Sequence, residues 1–146
     1  MSSMSLPLQE PLKSHFLDRR FRGSSLSFKA DFFDKNNKLS ANAQILSIGS
    51  LSEGRIVELA WVLEGDVFKK IRFRAFGDAY VIGCFSWLCF YCEGNSVDLL
   101  SRLSFLQIVR DLKVPDHKLS SLVLLDDAIN NIIKLTEKTV CKKTKN

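Results

Sequence analysis

Cys84, Cys89 and Cys92 form a C-x4-C-x2-C run, and a fourth cysteine follows at Cys141. Thiolates are soft ligands, and this spacing opens the ligand set of one class of iron–sulfur protein. The intervening residues argue against that use. A cluster loop is built from small residues that leave backbone N–H groups free, whereas CFSWLCFYC is crowded with aromatic side chains and lies in a helical stretch. On a helix, Cys84 and Cys89 sit about 7.5 Å apart along the axis and about 140° apart around it. Buried structural thiols are therefore expected. His117 stands alone in a loop, where a histidine is more often solvated than a ligand or an acid–base group. Ser120 and Ser121 have Asp and His in the same chain, but no motif sets either on a nucleophile elbow, so hydrolase chemistry has little support.

These residues must be carried by elements that the hydrophobic pattern describes. Leu26, Phe28, Ala30 and Phe32 alternate with Ser25, Ser27, Lys29 and Asp31, the period-2 pattern of a half-buried strand. DKNNK, residues 34–38, reads as a turn, Ala41 to Ile48 as a second strand, and Gly49 to Gly54 as a loop. A hairpin follows: Val57, Leu59, Trp61 and Leu63 alternate against charged neighbours, EGD turns the chain, and Ile71, Phe73 and Ala75 alternate against Lys70, Arg72 and Arg74. Helices are expected over 78–93, 96–103, 104–112 and 121–138, the last with a stripe of Leu122, Leu125, Ile129, Ile132 and Ile133. Strands first and helices after predict an α+β fold, a small antiparallel sheet of about three strands with helices packed on one face.

The stretch from Val81 to Cys92 is apolar at every position except Gly83 and Ser86. A surface helix normally keeps a polar face. Two readings stay open: neighbours enclose it completely, or one side, with Phe85, Trp87, Phe90 and Tyr91, meets another chain.

With 146 residues the chain fits one domain, a size that buries roughly 70% of its unfolded surface. Apolar residues make up 46% and charged residues 25%, as in a soluble globular protein. Lys138, Lys142, Lys143 and Lys145 supply four of the five net positive charges, leaving +1 for residues 1–137. A basic tail of this kind reads as a solvated terminus. Nucleic-acid binding through Lys70, Arg72, Arg74 and that tail lacks interleaved exposed aromatics. The opening residues show no secretory or transit pattern, and the longest apolar stretch, Ala79 to Cys92, falls short of the roughly 20 residues of a membrane span. A cytoplasmic protein with no membrane partner is expected.

Three segments carry a resemblance. EPLKSHFLDRRFRGS, residues 10–24, resembles an HY-x-NPRN-x-G opening and matches it at His15, Phe16, Arg20 and Gly23; RFRAFGDA, residues 72–79, resembles RFKTYGCGS; VPDHKLSSLVLLDDAINNII, residues 114–133, is similar to LPPVK-x-HCS-x-LAEDAI and keeps Pro115, Lys118, Leu124, Asp127, Ala128 and Ile129. Those patterns belong to the U-type iron–sulfur cluster assembly scaffolds, IscU and the N-terminal domain of NifU. The resemblance implies one domain over residues 10–138, between a flexible N-terminus at 1–9 and a basic tail at 139–146, with a first helix over 9–17.

It also implies where the ligands of such a scaffold would fall: Glu53 and Arg55 in place of a CGD motif, Asp78 in place of the second cysteine, and Ser120 and Ser121 in place of His-Cys. A [2Fe–2S] cluster wants thiolates, and none stands at these positions. Arg55 is expected to form a salt bridge with Glu53 or Asp78, the alternative being an oxygen-ligand site for Ca, Mg or Mn. Val114, Pro115, Asp116, His117 and Lys118 align with a loop that an Hsp70-type chaperone grips, with polar residues where an apolar extended peptide is wanted. The expected function is a non-catalytic, partner-binding relative of the scaffolds, without a cofactor, that contacts a cysteine desulfurase, another assembly protein or itself. The alternative is a genuine iron or [2Fe–2S] scaffold that recruits Cys84, Cys89, Cys92 or Cys141 from two chains.

Overall fold

A two-residue turn at Gly65 and Asp66 joins the longest strands, and their alternation decides which face is dry. A computed structural model describes residues 8–24, 28, 31–36, 38–40 and 42–144, with side chains described through Glu137. Strands β1 (Ala43–Ser50), β2 (Arg55–Glu64) and β3 (Val67–Phe76) form an antiparallel sheet in the order β1-β2-β3. Val57, Leu59, Trp61 and Leu63 of β2 point to one face with Leu46 and Ile48 of β1 and Ile71 and Phe73 of β3. Helices α1 (Leu12–Leu17), α2 (Ala79–Cys92), α3 (Val97–Ser101), α4 (Phe105–Leu112) and α5 (Leu119–Thr144) surround that face. Helix α5 runs from Leu119, two residues earlier than its apolar stripe predicts, because a 3-10 turn at Asp116–Lys118 leads directly into it.

The first expected strand is not a strand at its described residues. Phe28, Asp31 and Phe32 are helical, and the Phe28 N–H donates to the Ser24 carbonyl four residues back. Phe28 and Phe32 satisfy both periods, since residues two apart share a strand face and residues four apart share a helix face. Packing decides between them. Their rings meet edge to face, 5.5 Å apart, and cover Ala43 and Ala60 on the far side of the sheet, so a second, smaller cluster forms opposite the main core. The 34–38 turn is present as expected, with the Asp34 carboxylate accepting from the N–H groups of Asn36 and Lys38. Expectations for residues 1–7, 25–27, 29–30, 37, 41 and 145–146, and for the side chains after Glu137, Cys141 and the basic tail among them, fall outside the described residues.

Helix α2 lies between β3, α1 and α5, and this enclosure explains its lack of a polar face. Phe85 is fully buried and packs on Phe73, so it is a core residue and not an interface residue. Trp87 and Tyr91 are half-buried against the core and stack on each other at 5.3 Å; Phe90 is 52% exposed beside His15 and Arg20. Phe85→Ala should cost about 3–5 kcal/mol in chemical denaturation, and Phe90→Ala should change stability far less.

Gly49, in register with Ile56 near the end of β1, has φ +82, and a Cβ there would lie 2.6 Å from the Arg55 carbonyl oxygen across the ladder. Gly54 closes the Leu51–Glu53 turn at φ +77, with open space where its Cβ would be. Gly54→Ala should therefore cost about 1–2 kcal/mol, the backbone term alone. Gly49→Ala should cost more, because Arg55 must also move, and denaturation midpoints of the two variants test that ranking.

Candidate functional site

Four elements converge where the resemblance places a ligand site. Asp78 is the N-cap of α2: one carboxylate oxygen accepts from the N–H groups of Tyr80 (3.0 Å) and Val81 (3.1 Å), as an acidic cap at the positive end of a helix should. The other oxygen accepts from Lys118 Nζ at 2.7 Å. Lys118 comes from the 3-10 turn before α5, and its ammonium lies 5.7 Å from the centre of the Tyr80 ring. Arg55 opens β2 on the helix-facing side and donates from Nη1 to Ser120 Oγ in the first turn of α5, at 2.7 Å.

The expected salt bridge from Arg55 to Glu53 or Asp78 is thus replaced by two other contacts. Asp78 has one oxygen committed to its own helix and turns the other toward Lys118, whereas Arg55 lies nearest the start of α5. Glu53 is exposed on its turn and makes no salt bridge among the described residues. Ser121 is buried, and its hydroxyl has no hydrogen-bond partner among the described residues. Val114 is in the core, Pro115 is half-buried, and Asp116 and His117 are exposed on a 3-10 turn, so this segment is folded and not extended. Sequence reasoning did not find the Asp78–Lys118 contact; the signal was a lysine retained beside a newly acidic position.

Three of the four cysteines sit apart from this polar cluster. Cys84, Cys89 and Cys92 are buried free thiols on α2. Burial, with a smaller push from Asp78, raises Cys84 to about 12, and burial raises Cys89 and Cys92 well above the ordinary thiol range. At neutral pH all three are protonated and poorly suited to bind metal. Among the described residues no group of three or more His, Cys, Asp or Glu side chains is placed to hold a metal ion. Lys70, Arg72 and Arg74 pair with Asp31, Glu93 and Glu58, which leaves no free basic stripe on β3.

Burial alone would raise the Asp78 pKa, but the Lys118 ammonium and the two helix N–H groups outweigh it and hold the carboxyl below its ordinary 3.8. A depressed folded pKa means that the contribution to stability is complete above the ordinary value and is lost as pH falls through the folded one. Asp78→Ala should cost about 1 kcal/mol by removing the cap. Asp78→Asn keeps a capping oxygen and loses only a partly exposed ion pair, about 0–1 kcal/mol. Denaturation against pH should show the difference between wild type and Asp78→Asn beginning to shrink as pH falls below the ordinary 3.8 and closing only once the pH passes the lowered folded value, where Asp78 takes up its proton.

A sequence model of the NifU-like N-terminal domain matches residues 29–142. The iron–sulfur cluster assembly protein IscU of Plasmodium falciparum (isolate 3D7) is 32% identical over 123 residues, spanning 84% of this chain and 69% of that protein. The mitochondrial iron sulfur cluster assembly protein 1 of Debaryomyces hansenii is 24% identical over 140 residues, spanning 92% of this chain and 72% of that protein. Among solved structures, a putative iron–sulfur cluster assembly scaffold protein for the SUF system from Fervidobacterium islandicum AW-1 has the same fold, with a TM-score of 0.57 at 13% identity over 84% of this chain and 93% of that one. By sequence match and by its three-stranded sheet with helices, this chain belongs to the NifU-like N-terminal domain family of iron–sulfur cluster assembly scaffolds.

Proposed function

We propose that this chain is a non-catalytic member of the family that serves iron–sulfur assembly through protein contacts, with a cysteine desulfurase or a thiol-bearing scaffold as partner, and does not itself hold the cluster. The observation that carries this reading is the pair of contacts Arg55–Ser120 and Lys118–Asp78. They engage three of the five positions that the resemblance assigns to ligands, Arg55 with Ser120 and Asp78 with Lys118. An iron–sulfur cluster is bound by soft thiolates, and this donor set offers two carboxylates, two hydroxyls and two cations, so it does not fit that cargo. Arg55 and Lys118 would repel iron, and Asp78 would have to give up Lys118 to bind it. Cys84, Cys89 and Cys92 do not compensate, since each is enclosed in the core of α2.

Anaerobic reconstitution with iron, sulfide and a cysteine desulfurase tests the proposal. The protein should acquire no visible charge-transfer absorption and no stoichiometric iron or acid-labile sulfide. A stoichiometric chromophore that disappears when one of the cysteines is replaced would overturn it and restore the cluster-carrying alternative.

A further inference from the structure

The two outer edges of the sheet are treated differently. Along β3 the edge is occupied by the chain itself: the Gly23 N–H bonds the Phe73 carbonyl, the Phe73 N–H bonds the Phe21 carbonyl, and the Phe68 N–H and C=O bond Asn95 and Gly94. Along β1 it is open among the described residues beyond Ala43. The Leu63 N–H donates to the Asn42 carbonyl, which sets the phase of the ladder: Gln44, Leu46 and Ile48 direct their backbone groups to β2, and Ala43, Ile45, Ser47 and Gly49 direct theirs outward. The outward Ala43 N–H is taken by Ser40. Ile45, Ser47 and Gly49 have no such partner among the described residues. Natural edge strands are usually guarded by charge or proline. AQILSIGS has neither.

We propose that the β1 edge is a docking surface for β1 of a second copy, joined antiparallel about a two-fold axis at Ser47. The sequence of β1 is complementary to itself in that register. Ile45 lies opposite Gly49 of the second copy, where a missing side chain leaves room; Leu46 lies opposite Ile48, an apolar cross-strand pair; and Ser47 lies opposite Ser47. The outward residues oppose outward residues, so their N–H and C=O groups find partners. No other strand of the chain fits: β2 is interior, and β3 has its edge covered and carries Lys69, Lys70, Arg72 and Arg74. Because each copy has one open edge among the described residues, association closes at two. Edge pairing covers less surface than the roughly 1,200 Å² of a standard stable interface, so the dimer is a concentration-dependent equilibrium.

Sedimentation equilibrium on the full chain over a dilution series tests this, with Ser47→Lys and Ser47→Glu as variants and thermal melts to confirm that each is folded. Ser47 is exposed and turned away from the main core, with Glu58 opposite it on β2, so Ser47→Lys gains an acidic neighbour in the monomer and Ser47→Glu a like charge, a difference that the thermal melts report. Like charges would face each other across the two-fold axis, weakening each variant's self-association by about tenfold or more. A mixture of the two variants should dimerise again. The proposal is overturned by a wild type that stays monomeric to its highest soluble concentration, by growth beyond the dimer, by variants that dimerise as the wild type does, or by a mixture that fails to recover.

Discussion

A helix with no polar face is stable only where other elements cover most of it, and α2, on which Phe90 is the one residue left exposed, sets that requirement for the whole chain. Val81, Cys84, Phe85, Leu88, Cys89 and Cys92 are each buried. A large apolar side chain contributes roughly 1.5–3 kcal/mol when fully buried, so leaving one side of α2 open would forfeit much of the marginal stability of a domain this size. Three elements provide the cover. The sheet presents Leu59, Trp61, Ile71 and Phe73, α5 brings Leu122, Leu125 and Ile129, and α1 closes the remaining side. Helix α1 can approach because Gly83 has no side chain: a Cβ there would lie 3.2 Å from the Leu12 carbonyl oxygen.

The same requirement fixes the polar cluster. A buried helix still has unbonded N–H groups at its first turn, and they must be satisfied where the helix emerges. Asp78 does this, and it is thereby held at the exit of α2 beside the start of α5. Lys118 then completes a carboxylate that is only partly solvated, while Arg55 and Ser120 join β2 to α5 across the same opening. Each contact is between partly exposed groups and contributes modestly on its own. Together they place polar side chains at the mouth of the helix and leave the sulfur atoms behind it, in an apolar interior that keeps them protonated.

Most of the architecture was legible in the pattern of apolar residues. The hairpin from Val57 to Ala75 and the stripe from Leu122 to Ile132 each follow one period over many residues, and each forms as expected. The segment around Phe28 and Phe32 misleads because two aromatic residues four apart fit both periods, and only contact with Ala43 and Ala60 selects the helix. For the site, the resemblance brought Arg55, Asp78 and Ser120 to one place but not their pairing. Which cation reaches Asp78 depends on the 3-10 turn at Asp116–Lys118, and that turn is set by the docking of Val114 in the core, a tertiary contact. Phe85 and Phe90 lie five residues apart on one helix, and sequence alone cannot tell the inward ring from the outward one.

The distribution of charge bears on function as much as the polar cluster does. Lys70, Arg72 and Arg74 alternate along β3 on the face away from the main core, the geometry of a basic stripe. Each is matched by an acid from a different element: Asp31 beside the Phe28–Phe32 cluster, Glu93 after α2, and Glu58 on the neighbouring strand. Arg74 also lies over the Phe28 ring, and Arg72 over Phe21. Surface pairs of this kind add little stability, yet they cancel the field that would gather a polyanion. The sheet cations therefore serve to hold the flanking segments on the sheet, and the excess positive charge of the chain resides in the lysines after Glu137.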